Sequence, residues 1–514
     1  MEGHLFAVLG DLTRLDTDAV VIPCDFEGNV SHYWKPLLPE KRFDPGPYGH
    51  RLRDGLTAPP GEVTIAAGDR RLSLAVTAAR EPLPPCEVVD RAVQAVLAAA
   101  RDLASHRGRH LPLVSLPLVG TGLGGHSTER RRVVELLVPA LIDLTRREGV
   151  DVALVLNDRR DYAAVQAERG RSSTAATDPW SGLSTDGQRQ ADDLGRLAAR
   201  GALSLFVGSG VSVPLGLPNW RELMVLMGQR AGVTYEVPED ANLLDEAAGL
   251  RWLLRSDYAP FMRKTFERKH HALGHALLAA LGVQRMVTTN YDPCLELALD
   301  GVHRADYAVM TRNLATGERP WLLKIHGDVK DPESMVLTRA DYERLADEGR
   351  ALHGVVESLM LTSHVMFVGY SLVDHDFADV AHGVKLVRDR AETLGARPPS
   401  GTALALHPGA VDEDRWLGEV DVVAMGEADE LPAAPRTLEI FLDRVAWACL
   451  DQGELAAEFL LDDRYAAGAD PADVALRQAL EVVAANPEVR GSVGWRKVEG
   501  LLTALGHVPG PPAP

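Results

Sequence analysis

Four short polar motifs, each following an apolar run, hold residue types that can bind and cut a nucleotide. After Leu203–Val207 comes Gly208-Ser209-Gly210-Val211-Ser212. Small residues let backbone N–H groups approach a diphosphate there, and Ser209 and Ser212 add hydroxyl donors. The run Arg285–Thr289 leads into Asn290 and Asp292. The amide can donate and accept, and the carboxylate brings charge, so the pair suits a ribose, a carboxamide or a water. His326 and Gly327 follow Trp321–Ile325. An imidazole titrates near neutrality and is a natural general base, while the glycine leaves room for a ligand. Gly369-Tyr370-Ser371-Leu372, after Val365–Val368, offers a second place for backbone and hydroxyl contact. Taken singly, each motif also has a structural reading: a tight turn, an Asx-turn closing a strand, or a histidine hydrogen-bonded at a strand end.

The elements that must carry these motifs are legible in the pattern. Apolar runs without polar alternation suit parallel strands covered on both faces. Leu203–Val207, Arg285–Thr289, Trp321–Ile325, Val365–Val368, Ala403–Leu406 and Val420–Met425 are such runs, with helices between them. A doubly wound sheet is the economical arrangement, and its ligands bind outside the carboxyl ends of the strands. Asn219, with Glu222 three positions later, reads as an N-cap and capping box. Upstream, residues 1–165 alternate strand-like runs (Phe6–Leu9, Ala19–Ile22, Leu72–Val76, Leu113–Leu116, Val152–Leu156) with helical spacing over Val88–Leu103 and Arg132–Leu144. This predicts an α/β domain. Residues 166–190 lose periodicity and read as a linker, 191–455 as the nucleotide-binding domain, and 456–514 as a helical C-terminal region.

Composition bounds the function. The 514 residues carry 54 basic and 73 acidic side chains, a net charge of -19, which argues against broad nucleic-acid binding. The four cysteines are far apart and form no Cys-x-x-Cys pair, so neither a cysteine zinc site nor a disulfide scaffold is expected. His271 and His275 stand four apart on an expected helix without the glutamate of a zincin motif. They read as surface or packing residues, and no metal is expected. No signal peptide or bilayer-length apolar stretch is visible, which implies a cytoplasmic protein.

In their order and spacing the four motifs resemble the sirtuin family, over about residues 195–445. The family's Gly-Ala-Gly-x-Ser corresponds to Gly208-Ser209-Gly210-Val211-Ser212, its Gly-Ile-Pro-Asp-Phe to Gly216-Leu217-Pro218-Asn219-Trp220 and its Gln-Asn-x-Asp to Thr289-Asn290-Tyr291-Asp292. Its catalytic His-Gly corresponds to His326-Gly327 and its Gly-Thr-Ser-Leu to Gly369-Tyr370-Ser371-Leu372. The resemblance implies a Rossmann-like sheet that binds NAD as substrate. It implies catalysis by His326, Asn290 and Asp292, with nucleotide contacts from Gly208, Ser209, Gly210, Ser212, Asn219, Thr289, Gly369 and Ser371.

The zinc module of protein deacylases is absent, glutamine is replaced by Thr289 and Asp-Phe by Asn219-Trp220. The pattern is closer to the sirtuin-like effectors of bacterial antiphage systems such as Thoeris, which hydrolyse NAD once activated and often form oligomers. An unidentified activator and a homo-oligomer are implied. An NAD or ADP-ribose sensor without turnover and an ADP-ribosyltransferase stay open as alternatives.

The N-terminal segment resembles a macro domain, a module that binds ADP-ribose. Leu9-Gly10-Asp11-Leu12-Thr13 with Asp18-Ala19-Val20-Val21 matches its opening, and Pro117 to Gly125 its glycine-rich phosphate loop. The family's asparagine-rich stretch is here Pro23-Cys24-Asp25, which argues against hydrolysis of ADP-ribosyl bonds and leaves ligand binding open.

Overall fold

The structure is a computed structural model. It describes residues 2–507 apart from 47–48, 54, 57–62, 68–69, 80, 106–107, 123, 174–177, 237–241, 304–305, 312–318, 349, 373–383, 388, 391–400, 412–419, 428, 430 and 454. The chain divides into two compact units, Met1–Ala199 with Asp443–Pro514 and Arg200–Leu442.

In the first unit the five expected apolar runs become strands, and four more strands are found among the described residues. They are β1 (Leu5–Leu9), β2 (Ala19–Asp25), β3 (Asn29–Ser31), β4 (Phe43–Gly46), β5 (Gly49–Leu52), β6 (Val63–Ala67), β7 (Arg70–Ala78), β8 (Leu113–Pro117) and β9 (Asp151–Leu156). Six form one sheet in the order β1-β9-β8-β2-β7-β6, parallel except where β6 runs antiparallel to β7. All residues of β1 and β9 are buried, as unbroken apolar runs require. Helix α1 (Pro85–Ala100) packs on β7 and β2, and α2 (Arg130–Glu148) and α3 (Arg159–Arg171) on β1 and β9. The α/β layout follows the sequence expectation. The small antiparallel sheet β3-β5-β4 does not, because its short strands contain Pro, Gly and Asp and carry little apolar signal. Residues 166–190, read as a linker, hold the second half of α3, the start of α4 (Thr185–Ala199) and the fully buried Trp180.

The second unit is built on β10 (Leu203–Val207), β11 (Arg285–Thr288), β12 (Ala308–Met310), β13 (Trp321–Lys324), β14 (His364–Val368), β15 (Gly401–Ala405) and β16 (Val420–Ala424). Their order is β12-β13-β11-β10-β14-β15-β16 and every pairing is parallel, the expected doubly wound arrangement. From the central β10 the chain builds outward on one side and returns to place β14 on the other. The carboxyl ends of β10 and β14 therefore mark the switch point where such sheets open a crevice. Helices among the described residues include α5 (Trp220–Arg230), α6 (Leu243–Leu254), α7 (Tyr258–Phe266), α8 (Leu273–Ala280), α9 (Cys294–His303), α10 (Arg339–Glu348) and α11 (Arg350–Thr362). One apolar core joins Phe206, Val287, Leu323 and Phe367 to α11, and a second joins α5, α6 and α7 to Tyr291 and Leu337.

The boundary between the units falls within α12 (Ala434–Asp451). Beyond it, α13 (Pro471–Ala485), α14 (Pro487–Arg490) and α15 (Trp495–Ala504) complete the helical C-terminal region, where Leu461, Ala484 and Leu502 form a small core.

Candidate functional site

The four motifs lie at the carboxyl ends of β10, β11, β13 and β14, which are adjacent in the sheet as β13-β11-β10-β14. Register pairs Val207 with Thr288 and Val368, and Thr288 with Lys324. Asn290 and His326 thus stand two residues beyond a paired position on neighbouring strands.

The glycines bring two of these turns together. Gly208 N–H donates to Val368 O and Gly210 N–H to Gly369 O, both at 2.9 Å. A Cβ on Gly208 would sit 2.4 Å from Gly369 O, and one on Gly210 2.8 Å from Gly369 Cα. Gly369 also has φ +64, a conformation that disfavours side chains. Two further donors close the turn on itself, Val211 N–H to Gly208 O at 3.3 Å and Ser212 N–H to Ser209 O at 2.9 Å. The sequence expectation was a cradle of N–H groups for a diphosphate. In this conformation the donors of 208, 210, 211 and 212 are engaged within the protein, because the turn packs on its neighbour. Ser209, Gly210 and Ser371 are exposed. Buried Leu372 holds φ +58, a strained angle for a side chain of that size.

Behind the turn, four buried side chains form one network. Ser212 Oγ donates to Asp292 Oδ2 at 3.0 Å and lies 3.2 Å from His275 Nε2. Asn290 Nδ2 donates to Gly208 O at 3.1 Å and to Ser212 Oγ at 3.2 Å. Thr288 Oγ1 donates to Val207 O at 2.8 Å and accepts from Asn290 N–H at 3.1 Å, so β10, β11 and the Asn290 turn are tied at one point. Asn290 Oδ1 is buried and has no hydrogen-bond partner among the described residues. His275 is held neutral: burial pushes it down from 6.5 to about 4, against the pull of Asp292.

His275 was expected at the surface or in packing, and on one helix with His271. Burial agrees with packing; the structure corrects the shared helix and adds a site role for His275. His271 precedes α8, both are buried, and His275 belongs to the site network. Neither His275 nor Thr288 has a local motif to announce it, since His275 meets Ser212 across 63 residues.

A buried lysine lies below the network. Lys324 Nζ donates to Tyr291 O (3.1 Å), Asp292 O (2.9 Å) and Glu296 Oε1 (2.9 Å), and is 3.3 Å from Asp328 Oδ2. Burial acts to lower its pKa, but Glu296, Asp328 and Asp292 outweigh that and hold it above the ordinary value, so it stays charged. It couples the Asn290-Tyr291-Asp292 turn to the strand that leads to His326. His326 is buried, its ring 5.5 Å edge-on from Tyr342, and its carbonyl accepts from Val336 N–H at 2.9 Å. Gly327 has φ +89 and its missing side chain faces Ser334 O at 2.3 Å, so the glycine serves that close turn rather than leaving space for a ligand.

Asn219 is exposed and caps α5, accepting from Glu222 N–H at 3.0 Å while Glu222 accepts from Asn219 N–H at 2.9 Å. Half-buried Thr289 donates its N–H to Val207 O at 3.3 Å. His275, Asp292 and Cys294 bring donor atoms within 4.8 Å of one another, a set that could hold a soft divalent ion. Asp292 is already engaged, by Cys294 N–H at 3.0 Å and by Ser212, and burial with Asp292 beside it keeps the Cys294 thiol protonated.

The first unit has its own pocket of about 750 Å³. It opens at the carboxyl ends of β1, β2, β7, β8 and β9 and is lined by Gly10, Cys24, Asp25, Tyr33, Gly120 and Asn157 among others. The two segments that resemble a macro domain, its opening around Gly10 and its phosphate loop around Gly120, meet here; Leu123 of the second lies outside the described residues. Asp25 is turned inward, accepting from Glu27 N–H, Asn29 N–H and Asn29 Nδ2, and burial pushes the Cys24 thiol up to about 12.

Residues 284–416 match the SIR2-like domain family. The chain is similar to NAD(+) hydrolase ThsA of Enterococcus faecium, 26% identical over 198 residues that make up 37% of this chain and 41% of that protein. It is similar to NAD(+) hydrolase ThsA of Bacillus cereus, 26% identical over 197 residues, 36% and 40% of the two chains. The chain thus spans about two fifths of the length of these relatives. Among solved structures, the Oceanobacillus iheyensis macrodomain with ADP aligns with a TM-score of 0.27 and 16% identity, covering 33% of this chain and 92% of that one. The stretch matched to the SIR2-like domain carries Asn290, Asp292, His326 and Gly369, three of the four strand ends that meet at the switch point.

Proposed function

We propose that the second unit binds NAD and hydrolyses it to nicotinamide and ADP-ribose, as the effector of an antiphage system that stays inactive until triggered. NAD lies along the carboxyl edge of the sheet, contacted by Gly208, Ser209, Gly210, Asn219, Thr289, Gly369 and Ser371, while buried Ser212 acts through the network behind them. As the bond from the ribose anomeric carbon to nicotinamide breaks, its electron pair moves to the ring nitrogen and cancels the pyridinium charge. The ribose becomes oxocarbenium-like, Asn290 and Asp292 orient it and the attacking water, and His326 accepts the proton that water loses. General-base assistance of this kind commonly contributes about 10²–10⁴-fold. The observation that carries the reading is the locked Ser212-Asn290-Asp292 network at the switch point, beside the strand end bearing His326, with Asn290, Asp292 and His326 in a stretch similar to SIR2-like domains.

The pocket of the first unit, formed where the two glycine-bearing segments meet, supports an ADP-ribose-type ligand there, and through it a place for control. The test is nicotinamide release from NAD by the full chain, with and without candidate activators. Asn290→Ala and His326→Ala are expected to lower it at least about 100-fold while the fold is retained. Wild-type rates in both variants would overturn the assignment. Label from NAD appearing on a macromolecule would point to transfer instead of hydrolysis.

A further inference from the structure

His275 is the one member of the buried network to which the NAD reading gives no role. It is 1% exposed, and its Nε2 lies 3.2 Å from Ser212 Oγ. The chemistry around that hydroxyl fixes the direction of each hydrogen bond. Asp292 Oδ2, 3.0 Å away, belongs to a carboxylate that only accepts, so Ser212 donates its single proton there. The other two neighbours must then donate to Ser212 Oγ: Asn290 through Nδ2–H and His275 through Nε2–H, each at 3.2 Å. The second N–H of Asn290 goes to Gly208 O at 3.1 Å. Both amide hydrogens are thereby engaged by the protein, and Asn290 Oδ1 is buried without a partner among the described residues, as is His275 Nδ1.

We propose that His275 is a positioning residue of the nucleotide site. By donating to Ser212 it orients that hydroxyl toward Asp292, and Ser212 in turn locks the Asn290 amide so that Oδ1 alone faces the ligand as an acceptor. The group recognised is a hydrogen-bond donor, a ribose hydroxyl or the attacking water. An asparagine held only at its backbone could flip and offer N–H instead. Here a flip would set Oδ1 against the carbonyl of Gly208 and remove a donor from Ser212. A buried acceptor without a partner is costly, and a ligand hydroxyl removes that cost on binding. The inference rests on the NAD reading of the site.

The experiment is NAD binding by calorimetry and nicotinamide release by the full chain, with thermal unfolding as the check on folding. His275→Phe keeps the ring volume without the donor, and His275→Gln keeps an N–H. His275→Phe and Ser212→Ala are expected to weaken NAD binding about tenfold or more, as Asn290→Ala does, with His275→Gln within about threefold of wild type. The double variant His275→Phe with Asn290→Ala should bind no worse than Asn290→Ala alone, because both act on one group. Wild-type binding and turnover in His275→Phe, alongside loss in Asn290→Ala, would overturn the positioning role and leave the NAD site standing. Unchanged behaviour in Asn290→Ala as well would remove the NAD site itself. Should His275→Phe not fold, His275→Leu, which also removes the N–H, decides between the same outcomes, with His275→Gln as the variant that keeps the donor.

Discussion

At the scale of single residues, the neutral state of His275 has a consequence for stability that needs no ligand. Its folded-state pKa of about 4 lies below the ordinary 6.5, so between those values the unfolded chain binds a proton that the folded chain refuses. Stability therefore rises with pH across this window, is complete above about 6.5, and is lost as pH falls toward 4. The difference corresponds to about 3 kcal/mol. Denaturant unfolding of wild type and His275→Gln at a series of pH values checks this. The variant should show a shallower loss of stability from pH 6.5 to 4 than wild type. Parallel curves would mean that His275 is not the titrating group.

Among the elements, the joint between β11, β13 and the turn at Asn290 depends on Lys324. Its ammonium satisfies two backbone carbonyls and faces two carboxylates, all buried. Removing one partner from a buried charge group leaves the others uncompensated, which costs about 3–5 kcal/mol. Lys324→Met should destabilise the second unit by that order in denaturant titration. Trp321→Phe, at the half-buried start of the same strand, should cost far less. Equal midpoints for the two variants would contradict the joint. A lysine inside an otherwise apolar run, Trp-Leu-Leu-Lys-Ile-His, was a visible sign that something charged waited for it, though the sequence could not say what. The strands themselves were legible because a sheet covered on both faces demands unbroken apolar runs. The capping box at Asn219 was legible because its chemistry is local. Three-residue β12 and the β3-β5-β4 sheet escaped for want of such runs, and His275 because contacts across a fold leave no trace in spacing. The glycines of 208–212 were legible as a tight turn. Their reason, the close approach of Gly369, needed the neighbouring strand.

On the scale of the whole chain, the first unit is made of two distant segments, and one fully buried carboxylate joins them. Asp443 accepts from Arg169 through both oxygens, from Trp180 Nε1 at 2.9 Å and from Ala7 N–H at 3.4 Å, and lies 2.9 Å from His4 Nε2. Burial acts to raise its pKa, but Arg169 and His4 outweigh it and hold the carboxyl well below the ordinary range. Arg444 stacks on both Trp180 and Trp447 and pairs with Asp192, so the start of the C-terminal segment also grips the 178–199 region. A depressed carboxyl contributes stability that is present above its unfolded value and lost as pH falls through the folded one, so this joint holds throughout neutral and mildly acid solution. Asp443→Asn keeps the shape but leaves the fully buried Arg169 without its counter-charge, and about 3–5 kcal/mol of the first unit's stability should go with it. Residues 1–199 expressed without 443–507 should lose the joint entirely and be digested at protease concentrations that leave the full chain intact, because Trp180 and Arg169 would then lack the partner that buries them. Equal protease resistance of the short fragment would show that the N-terminal segment folds on its own and that the C-terminal helices are an addition to it.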